Sequence, residues 1–459
     1  MSEGTPIKKK SVGRVEELER RLDSFSAAER KQALLELVEL VRTGEITLAE
    51  PGKYVNLHCH TFFSYNTYGY SPSKFAWLAR KAGLAVAGTV DFDVLDAVEE
   101  FLDASRLLGL KGCAGLETRV YVPEFSDRVI NSPGEPGISY HMGVGFPSGQ
   151  LQGKQKEFLL NLRKTAQKRN MDLMGRVNEY LRPVVLDYEK DVVVLTPAGN
   201  PTERHLCLAY TRKAGEIFDR SEALAKFWTE KLGLDASKLG LPEGRDLLNT
   251  IRAKTMKRGG VGYVQPDKGS FPPMADTNRF ILAAGAIPVH TWLDGTSDGE
   301  RAIEELVDVA MSTGAAAINV IPDRNYTAGA KDQKVKNLYQ VVELVERRDL
   351  IVVEGTEMNS PGQKFVDDFG TDELKPLVPV FLKGALIVYA HSILQQQCGL
   401  GYTSEWAKKN FGSVGERNEF FRVVGERLEP GEEGTLKAFG KGAKPSEILR
   451  VIRRRENPT

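Results

Sequence analysis

The sequence is poor in cysteine and histidine, and its charges cancel. Of 459 residues, four are cysteines and six are histidines, and 62 Lys and Arg balance 62 Asp and Glu. The cysteines are scattered and form no Cys-x-x-Cys pair, which argues against a zinc ribbon or a disulfide framework and predicts a reducing, cytoplasmic location. The zero net charge argues against a protein whose main partner is bulk nucleic acid.

Long apolar segments are also missing from this chain. The basic N-terminus is not followed by an apolar stretch, so no secretory signal is predicted. The apolar run over 385–390 is far too short to cross a bilayer, so no membrane partner is expected. The basic runs over 8–10 and 453–455 are predicted to be solvated tails. Nothing in the sequence decides between a monomer and a homo-oligomer.

The order of the apolar runs predicts an α/β protein. Between residues 53 and 147, short apolar runs alternate with amphipathic stretches, as in strand–helix units on a parallel sheet. The same alternation returns after residue 266. About seven such units fit a closed (β/α) barrel better than an open sheet.

The domain organisation follows from where this alternation starts, lapses and resumes. The N-terminal helical segment carries a capping box, Ser26–Glu29, and either packs on the barrel or makes a dimer contact. The insertion is predicted to cap the barrel and to hold a long charged helix over 153–180, a strand over 192–195 and three further helices. A last barrel strand is predicted over 385–389. The predicted segments are 1–50 (helical), 51–147 (first part of the barrel), 148–265 (mostly helical insertion), 266–392 (second part of the barrel) and 393–459 (helical extension).

The strongest chemical signal is a His-x-His pair at the end of the first predicted strand. His58 and His60 are two residues apart, so their imidazoles point to the same side of an extended strand and could share a metal ion. A pair of hydrogen-bonded histidines near a surface loop is an equally simple interpretation of this dipeptide alone. Cys59 points the opposite way and is interpreted as structural.

The position of other acidic and imidazole residues favours the metal interpretation. In a (β/α) barrel, the carboxyl ends of the strands form the active face. One residue of this kind alone is more often a solvated carboxylate or a buried core histidine, but many on one rim indicate a site. The residues that fall on or just after predicted strands are Asp91, Asp93, Glu117, His141, His290, Glu357, Asn359 and His391.

These motifs, in this order, resemble the PHP (polymerase and histidinol phosphatase) family of metal-dependent phosphoesterases. The resemblance covers about residues 53–147 and 195–360. The matching segments are Leu57–Thr61, Val90–Asp96 with the helix after it, Gly115–Glu117, His141–Gly143, Gly285–His290, Gly355–Asn359 and Pro201–Ala209. It implies a distorted (β/α)7 barrel with a helical insertion, that is, a divergent member of the phosphoesterase branch.

The resemblance also implies two divalent metal ions, Zn²⁺, Mn²⁺ or Fe²⁺. The first would be held by His58, His60, Glu117 and Glu357, and the second by a bridging Glu117 with His141 and His290. The family's third ion would require ligands at positions that hold Tyr65 or Asn66, Phe92 and Asn359 here. Phe cannot ligate a metal and Asn is a poor ligand for a borderline one, so a two-metal site is expected.

The activity implied by the resemblance is hydrolysis of a small phosphate ester or nucleotide-like substrate by a metal-activated water. Glu117 would bridge the ions, and Asp91 would orient a ligand histidine or the nucleophile. Arg204 and His205, in a predicted first helical turn, would bind the phosphate; an ordinary charged helix face is the alternative.

Two alternatives stay open beside these assignments. A two-metal barrel could hydrolyse a non-phosphate ester or amide instead, or the protein could be a non-catalytic PHP-like binding module. Asn359 and His391 are candidates for a supporting role at the site, and for His391 a place in the core is favoured slightly.

Overall fold

A computed structural model describes residues 6–326 and 331–452. The basic run over 453–455 therefore lies outside the described residues, as do the side chains over 8–10. The chain is an α/β protein built around a nearly closed barrel of seven strands, as the sequence predicts. The strands follow one another around the barrel in chain order. They are β1 (Val55–Cys59), β2 (Val86–Phe92), β3 (Lys111–Tyr121), β4 (Ile138–Val144), β5 (Ile287–Thr291), β6 (Ala317–Val320) and β7 (Ile351–Glu354).

One strand of the barrel runs against all the others. β4 pairs antiparallel with β3 and with β5, whereas the remaining pairs are parallel. The barrel closes where Glu357 meets Cys59: the Glu357 N–H donates to the carbonyl of His58 at 2.6 Å, and the His60 N–H donates to the carbonyl of Glu357 at 2.9 Å. The sequence analysis gives no strand bounds over 138–144, and the reversed direction of β4 affects the site.

The register of the strands defines two faces of the sheet. Side chains that are directly opposed on neighbouring strands point to the same face, and successive residues of one strand alternate between faces. Glu117 is opposite Met142, which is opposite Val289. These three side chains share the face that lines the barrel, here called the inner face. The residues between them point outward, towards the surrounding helices.

Helices surround the barrel and fill the insertion. They are α1 (Pro6–Arg21), α2 (Ala27–Arg42), α3 (Pro72–Lys81), α4 (Val98–Leu108), α5 (Gly153–Tyr180), α6 (Glu203–Ile217), α7 (Ser221–Leu232), α8 (Arg245–Ile251), α9 (Met274–Ala283), α10 (Asp298–Arg301), α11 (Ile303–Ser312), α12 (Lys331–Arg347), α13 (Val378–Cys398), α14 (Glu405–Asn410), α15 (Val414–Arg427) and α16 (Pro445–Val451).

The N-terminal helices pack on the barrel. Ser26 caps α2 by accepting a hydrogen bond from the Glu29 N–H, as its capping-box motif predicts. Leu22 and Leu37 are buried in one cluster with Phe75 and Trp77 of α3. Burying such apolar side chains stabilises the protein by roughly 1.5–3 kcal/mol each. Of the two placements that the sequence leaves open for this segment, the structure shows packing on the barrel.

The insertion has a hydrophobic core of its own. Side chains of α5, α6, α7 and α8 form a separate buried cluster that includes Val177, Tyr210 and Trp228. The long helix over 153–180 is present with the predicted bounds. The strand predicted over 192–195 is wrong: this segment forms short helical turns, Tyr188–Val192 and Val193–Leu195, because the cluster that buries Val192 is made of helices.

The strand predicted over 385–389 is also wrong, because these residues lie in the middle of helix α13. A short apolar run does not distinguish a buried strand from a buried helix. Gly384 allows α13 to touch β7, since a β-carbon there would collide with the carbonyl oxygen of Val352. By length and composition α13 could cross a membrane, but 78% of its apolar window is buried in the protein, as in a core helix.

Helix α13 lies across the end of the barrel at which the parallel strands begin. The Lys111 ammonium, at the start of β3, lies 5.6 Å from the centre of the Tyr389 ring. Gly145, which follows the reversed strand β4, touches the ring of His391. Both contacts are at the end of the barrel opposite to the ends of β1 and β2. The ends of β1 and β2 open towards the insertion instead, because Asn200 donates to the carbonyl oxygens of Phe63 and Phe92 at 3.1 and 3.0 Å.

Candidate metal centre

Three buried side chains converge on the inner face of the barrel. His58 comes from β1, His60 directly follows that strand, and Glu117 comes from β3. Oε2 of Glu117 lies 3.5 Å from Nε2 of His58 and 3.1 Å from Nε2 of His60, and the three side chains are at most 2% exposed. Among residues 6–326 and 331–452, this is the one group of three or more His, Cys, Asp or Glu side chains close enough to share an ion.

The hydrogen bonds around His58 determine which ring nitrogen carries its proton. Nδ1 of His58 lies 3.0 Å from Oδ1 of Asn319 on β6. The amide nitrogen of Asn319 donates to the carbonyl of Val353 at 3.1 Å, which identifies Oδ1 as the acceptor. His58 Nδ1 therefore donates to Asn319, which leaves Nε2, the nitrogen that faces Glu117, as the one that a metal ion would bind.

A second chain of hydrogen bonds orients His60. Its Nδ1 lies 3.1 Å from the hydroxyl of Ser64, and that hydroxyl donates to Oδ1 of Asp91 at 2.5 Å. Because the Ser64 proton is used in this bond, the hydroxyl accepts from His60 Nδ1. Nε2 of His60 is thus also the nitrogen that faces Glu117 and that a metal ion would bind. An outer partner of this kind fixes the tautomer of a metal-binding histidine.

Asp91 acts on this site indirectly, through Ser64 and Thr61. Its carboxylate also accepts hydrogen bonds from the amide and hydroxyl of Thr61, at 2.8 and 2.7 Å. Asp91 therefore holds the chain directly after β1 and orients Ser64. The sequence analysis offered two roles for Asp91, orienting a ligand histidine or orienting the nucleophile, and these contacts favour the first.

The three convergent atoms fit a divalent cation. His58 Nε2, His60 Nε2 and Glu117 Oε2 are buried and have no hydrogen-bond partner among the described residues. Two imidazole lone pairs and a carboxylate oxygen are the mixed ligand set that suits Zn²⁺, Mn²⁺ or Fe²⁺. Burial alone would raise the pKa of Glu117, but His58 and His60, when protonated at Nε2, outweigh it and hold the pKa at about 2. This carboxylate is therefore ionised, and a divalent ion would take the place of the two Nε2 protons.

His141 and His290 do not belong to this group of ligands. His141 is opposite Thr118 and His290 is opposite His141, so both side chains point to the outer face, away from Glu117. There Nε2 of His141 lies 2.5 Å from Oδ1 of Asn278 on α9. The sequence analysis expected both histidines to hold a second ion with Glu117. The register of the reversed strand β4 separates them from it.

Glu357 lies beside the group but does not enter it. The Arg324 guanidinium donates to both carboxylate oxygens of Glu357, at 3.2 and 2.9 Å, and Gln363 donates to one of them at 2.7 Å. Its backbone is bonded between His58 and His60. Of the four ligands that the resemblance implies for the first ion, the structure therefore brings three together and pairs the fourth with Arg324.

The positions that lack ligands for a third ion hold packing and hydrogen-bonding residues. The Phe92 ring stacks on the His60 ring with centroids 4.3 Å apart. Asn66 donates to the backbone carbonyl of His60 at 2.8 Å, and Tyr65 packs edge-on against His205. Asn359 is part of the loop after β7, two residues beyond Glu357.

The two predicted phosphate-binding residues have different surroundings. Thr202 caps α6, and Nδ1 of His205 accepts a hydrogen bond from the Thr202 N–H at 3.0 Å. Burial lowers the pKa of His205 to about 3, so its ring is neutral and its role here is in capping. Arg204 donates to Asn249 at 2.7 Å and to Ser360 at 3.0 Å, which are both uncharged partners.

Several cations near the site were not predicted from the sequence. Arg119 follows Glu117 on the inner face of β3, and both Arg119 and Arg169 of α5 lie over the Phe271 ring, at 4.3 and 4.5 Å. Arg252 and Lys257 of the insertion share the carboxylate of Glu203, at 3.0 and 2.7 Å. Arg119 alone does not indicate a site in the sequence. It is two residues from Glu117, however, so both side chains lie on the same face of the strand.

His391 is remote from the candidate centre. It lies in α13, at the opposite end of the barrel, and its Nδ1 accepts a hydrogen bond from the Tyr402 N–H at 2.8 Å. The sequence analysis placed it at the end of a barrel strand, which is wrong because the segment is helical. The alternative that it considered, a histidine of the core, describes its surroundings.

Comparison with known proteins gives a distant likeness in structure. No family model and no curated protein matches the sequence. A structure described as an amidohydrolase from Chromobacterium violaceum, with bound sulfate and no metal, superposes with a TM-score of 0.48 at 14% identity, over 72% of this chain and 96% of that one. A protein provisionally described as a metal-dependent phosphoesterase, from Bifidobacterium adolescentis, superposes with a TM-score of 0.46 at 16% identity, over 72% and 97%.

Proposed function

We propose that this protein is a metal-dependent hydrolase whose centre is formed by His58, His60 and Glu117. The observation that supports the proposal is the convergence of two oriented imidazoles, through their Nε2 atoms, on a buried, ionised carboxylate. Because His141 and His290 lie on the outer face, we propose one divalent ion at this centre in place of the two expected from the resemblance. A cytoplasmic location remains our expectation, and the four free cysteines agree with it.

The chemistry of such a centre is hydrolysis by an activated water. A bound divalent ion would supply a water of lowered pKa and a Lewis acid for the substrate. The residues of this chain prepare the site for it. Asn319 and Ser64 keep the proton of each histidine on Nδ1, and the Phe92 ring covers one side of His60 and limits the access of bulk water.

The substrate that we propose is a phosphate ester, because cations are concentrated near the centre. Arg169 and Arg204 have neutral hydrogen-bond partners, Ser270 for the first and Asn249 with Ser360 for the second. Guanidinium groups of this kind bind phosphate oxygens through two N–H donors at once. Arg119, two residues beyond Glu117 on the same face of β3, is paired with Glu135 at 3.0 Å, so Arg169 and Arg204 are the two guanidinium groups that we assign to the phosphate.

Metal content and substrate choice together test the proposal. We expect purified protein to bind one divalent ion per chain, and His58→Asn to lose it. His141→Asn is the matched control, because both histidines are fully buried on strands but face opposite sides of the sheet. Elemental analysis after dialysis measures the stoichiometry, and absence of a bound ion in the wild type would refute the proposal.

Activity assays then separate the classes of substrate. We expect the wild type to hydrolyse p-nitrophenyl phosphate or bis(p-nitrophenyl) phosphate, and His58→Asn to lose that activity. Metal-dependent hydrolysis of p-nitrophenyl acetate alone would favour the ester or amide hydrolase. A protein that binds metal and hydrolyses none of the three would favour the binding module. Arg169→Gln should raise KM for the phosphate substrates and leave the proposed metal content unchanged.

A further inference from the structure

The loop between β1 and α3, residues 61–71, supports His60 from two directions. Ser64 accepts the Nδ1 proton of His60, and Asn66 donates to the His60 carbonyl at 2.8 Å. Both contacts depend on where this loop lies. The middle of the loop contacts the segment after β7, since the Thr67 N–H donates to the carbonyl of Met358 at 2.9 Å and the Tyr68 hydroxyl to that of Gln363 at 3.0 Å. Both ends of the loop touch the N-terminal hairpin α1–α2.

The first end of the loop packs on Arg30 of α2. The Arg30 guanidinium lies over the rings of Phe62 and Phe63, at 5.0 and 6.0 Å from their centres. It is only 3% exposed and is held in place by Glu100 and by the carbonyl of Ser24, the latter at 2.7 Å. A buried guanidinium that is fixed by a carboxylate and stacks on an aromatic ring gives a rigid contact.

The second end of the loop is bonded to the turn between α1 and α2. The Ser71 N–H donates to the Asp23 carboxylate at 3.0 Å, and the Ser71 hydroxyl donates to the carbonyl of Leu22 at 2.5 Å. Ser71 also caps α3, since its hydroxyl accepts from the Lys74 N–H. The hairpin therefore fixes both ends of the segment that carries Ser64.

We infer that the N-terminal hairpin is a positioning element of the candidate metal centre and that Arg30 is its main contact. Arg30 holds Phe62 and Phe63, these residues place Ser64, and Ser64 orients His60. The inference rests on the proposed function, because it assigns Arg30 an effect on the affinity for metal. The N-terminal helices would then belong to the working site and not only to the surface of the barrel.

A double-mutant cycle with Co²⁺ tests this order of contacts. Removing an outer partner of a ligand weakens metal binding by about 10–100-fold, so Ser64→Ala and Arg30→Lys should each raise the Kd for Co²⁺ by at least about tenfold. If Arg30 acts through Ser64, Arg30→Lys should change the Kd little in the Ser64→Ala background. The visible absorption of bound Co²⁺ should also change in each single variant.

Matched variants separate positioning from general instability. Arg21→Lys, whose ion pairs reach Glu29 and Glu36 inside the hairpin, should leave the Kd unchanged. Phe62→Leu keeps an apolar side chain and removes the stacking, so it should reproduce the effect of Arg30→Lys if that variant fails to fold. Equal Kd values for wild type, Arg30→Lys and Phe62→Leu, or additive effects of Arg30→Lys and Ser64→Ala, would overturn the inference.

Hydrogen exchange in metal-free protein distinguishes failure of this inference from failure of the proposed function. Arg30→Lys should speed exchange of the amides over 62–71, and Arg21→Lys should not. If the wild type binds no Co²⁺, the proposed function and the metal part of the inference are both wrong, and the exchange data alone decide whether the hairpin holds the loop. Unchanged exchange in Arg30→Lys would refute that as well.

Discussion

The barrel contains two pairs of fully buried histidines, which lie on opposite faces of the sheet. His58 and His60 are on the inner face beside Glu117, and His141 and His290 are on the outer face beside Asn278. In the inner pair each Nδ1 has an oriented acceptor. In the outer pair, neither ring nitrogen of His290 has a hydrogen-bond partner among the described residues.

The electrostatics of the two pairs differ in the same way. Burial alone would lower the pKa of His58, but the charge of Glu117 outweighs it and the pKa is raised. On the outer face no carboxylate opposes burial, so the pKa of His141 falls to about 4 and that of His290 to about 3. Burial alone thus keeps a histidine neutral. A nearby carboxylate, together with an oriented hydrogen-bond partner at Nδ1, makes a buried histidine a candidate metal ligand.

Removing the carboxylate should make the inner pair resemble the outer pair. We expect Glu117→Gln to weaken Co²⁺ binding by more than about a hundredfold, which exceeds the usual cost of losing only an outer partner. Isothermal titration measures this Kd. Met142→Leu, opposite Glu117 on β4, is the control and should bind Co²⁺ like the wild type. Tight binding by Glu117→Gln would show that the carboxylate does not distinguish the two pairs.

The outer pair should make the protein sensitive to acid. His141 and His290 stay neutral in the folded protein down to about pH 4 and 3, whereas in the unfolded chain they bind protons near pH ~6.5. Between these values the unfolded chain binds more protons, so the free energy of unfolding falls as the pH falls. The loss is up to about 1.4 kcal/mol per pH unit for each histidine.

Replacing His290 with an apolar residue tests this slope. His290→Met cannot take up a proton, and it removes a polar group that lacks a partner, so its stability should depend less on pH between pH ~6.5 and ~4. Urea unfolding at several pH values measures the change. Met142→Leu does not titrate and should keep the wild-type slope. An unchanged slope in His290→Met would contradict the origin assigned to the acid sensitivity.

The prediction with the smallest expected effect concerns a carboxylate placed beside the outer pair. Asn278→Asp is nearly isosteric and places a negative charge beside Nε2 of His141, 2.5 Å from the present amide oxygen. An adjacent opposite charge shifts a pKa by about 1–3 units, so the pKa of His141 should rise by that amount in an NMR titration. Thr313→Val, which removes only the other partner of Asn278, should leave it unchanged. No rise would show that Asn278 does not control His141.

The inner pair could be predicted from sequence because its signal is local. His58 and His60 are two apart on one strand, and Glu117 lies within another predicted strand, so alternation alone puts each on a definite face. The outer pair could not be separated from it in this way. Whether His141 or its neighbour Tyr140 faces the barrel depends on the register with β3, and a strand reversed between two parallel parts of the sheet has no sequence signal of its own.

The fold was predicted where a long helical pattern or a capping residue is present. Helix α5 is an example of the first, and the N-cap at Ser26 is an example of the second. The errors over 192–195 and 385–389 are short apolar runs, whose burial is set by the helices around them. The break at Ala302 that separates α10 from α11 has no such signal in the sequence. Arg169 could not be assigned to the site, because its placement depends on how the insertion folds back over the barrel.

Helix α13 sets the earliest point during synthesis at which this end of the barrel can be covered. The ribosome releases all seven strands before it releases α13, and until then the open end of the barrel exposes apolar residues that Phe381, Val388 and Ile393 later cover. The incomplete chain therefore exposes a large apolar surface of the kind that chaperones bind. Synthesis that stops before residue 378 should yield aggregates even though every candidate metal ligand is already present.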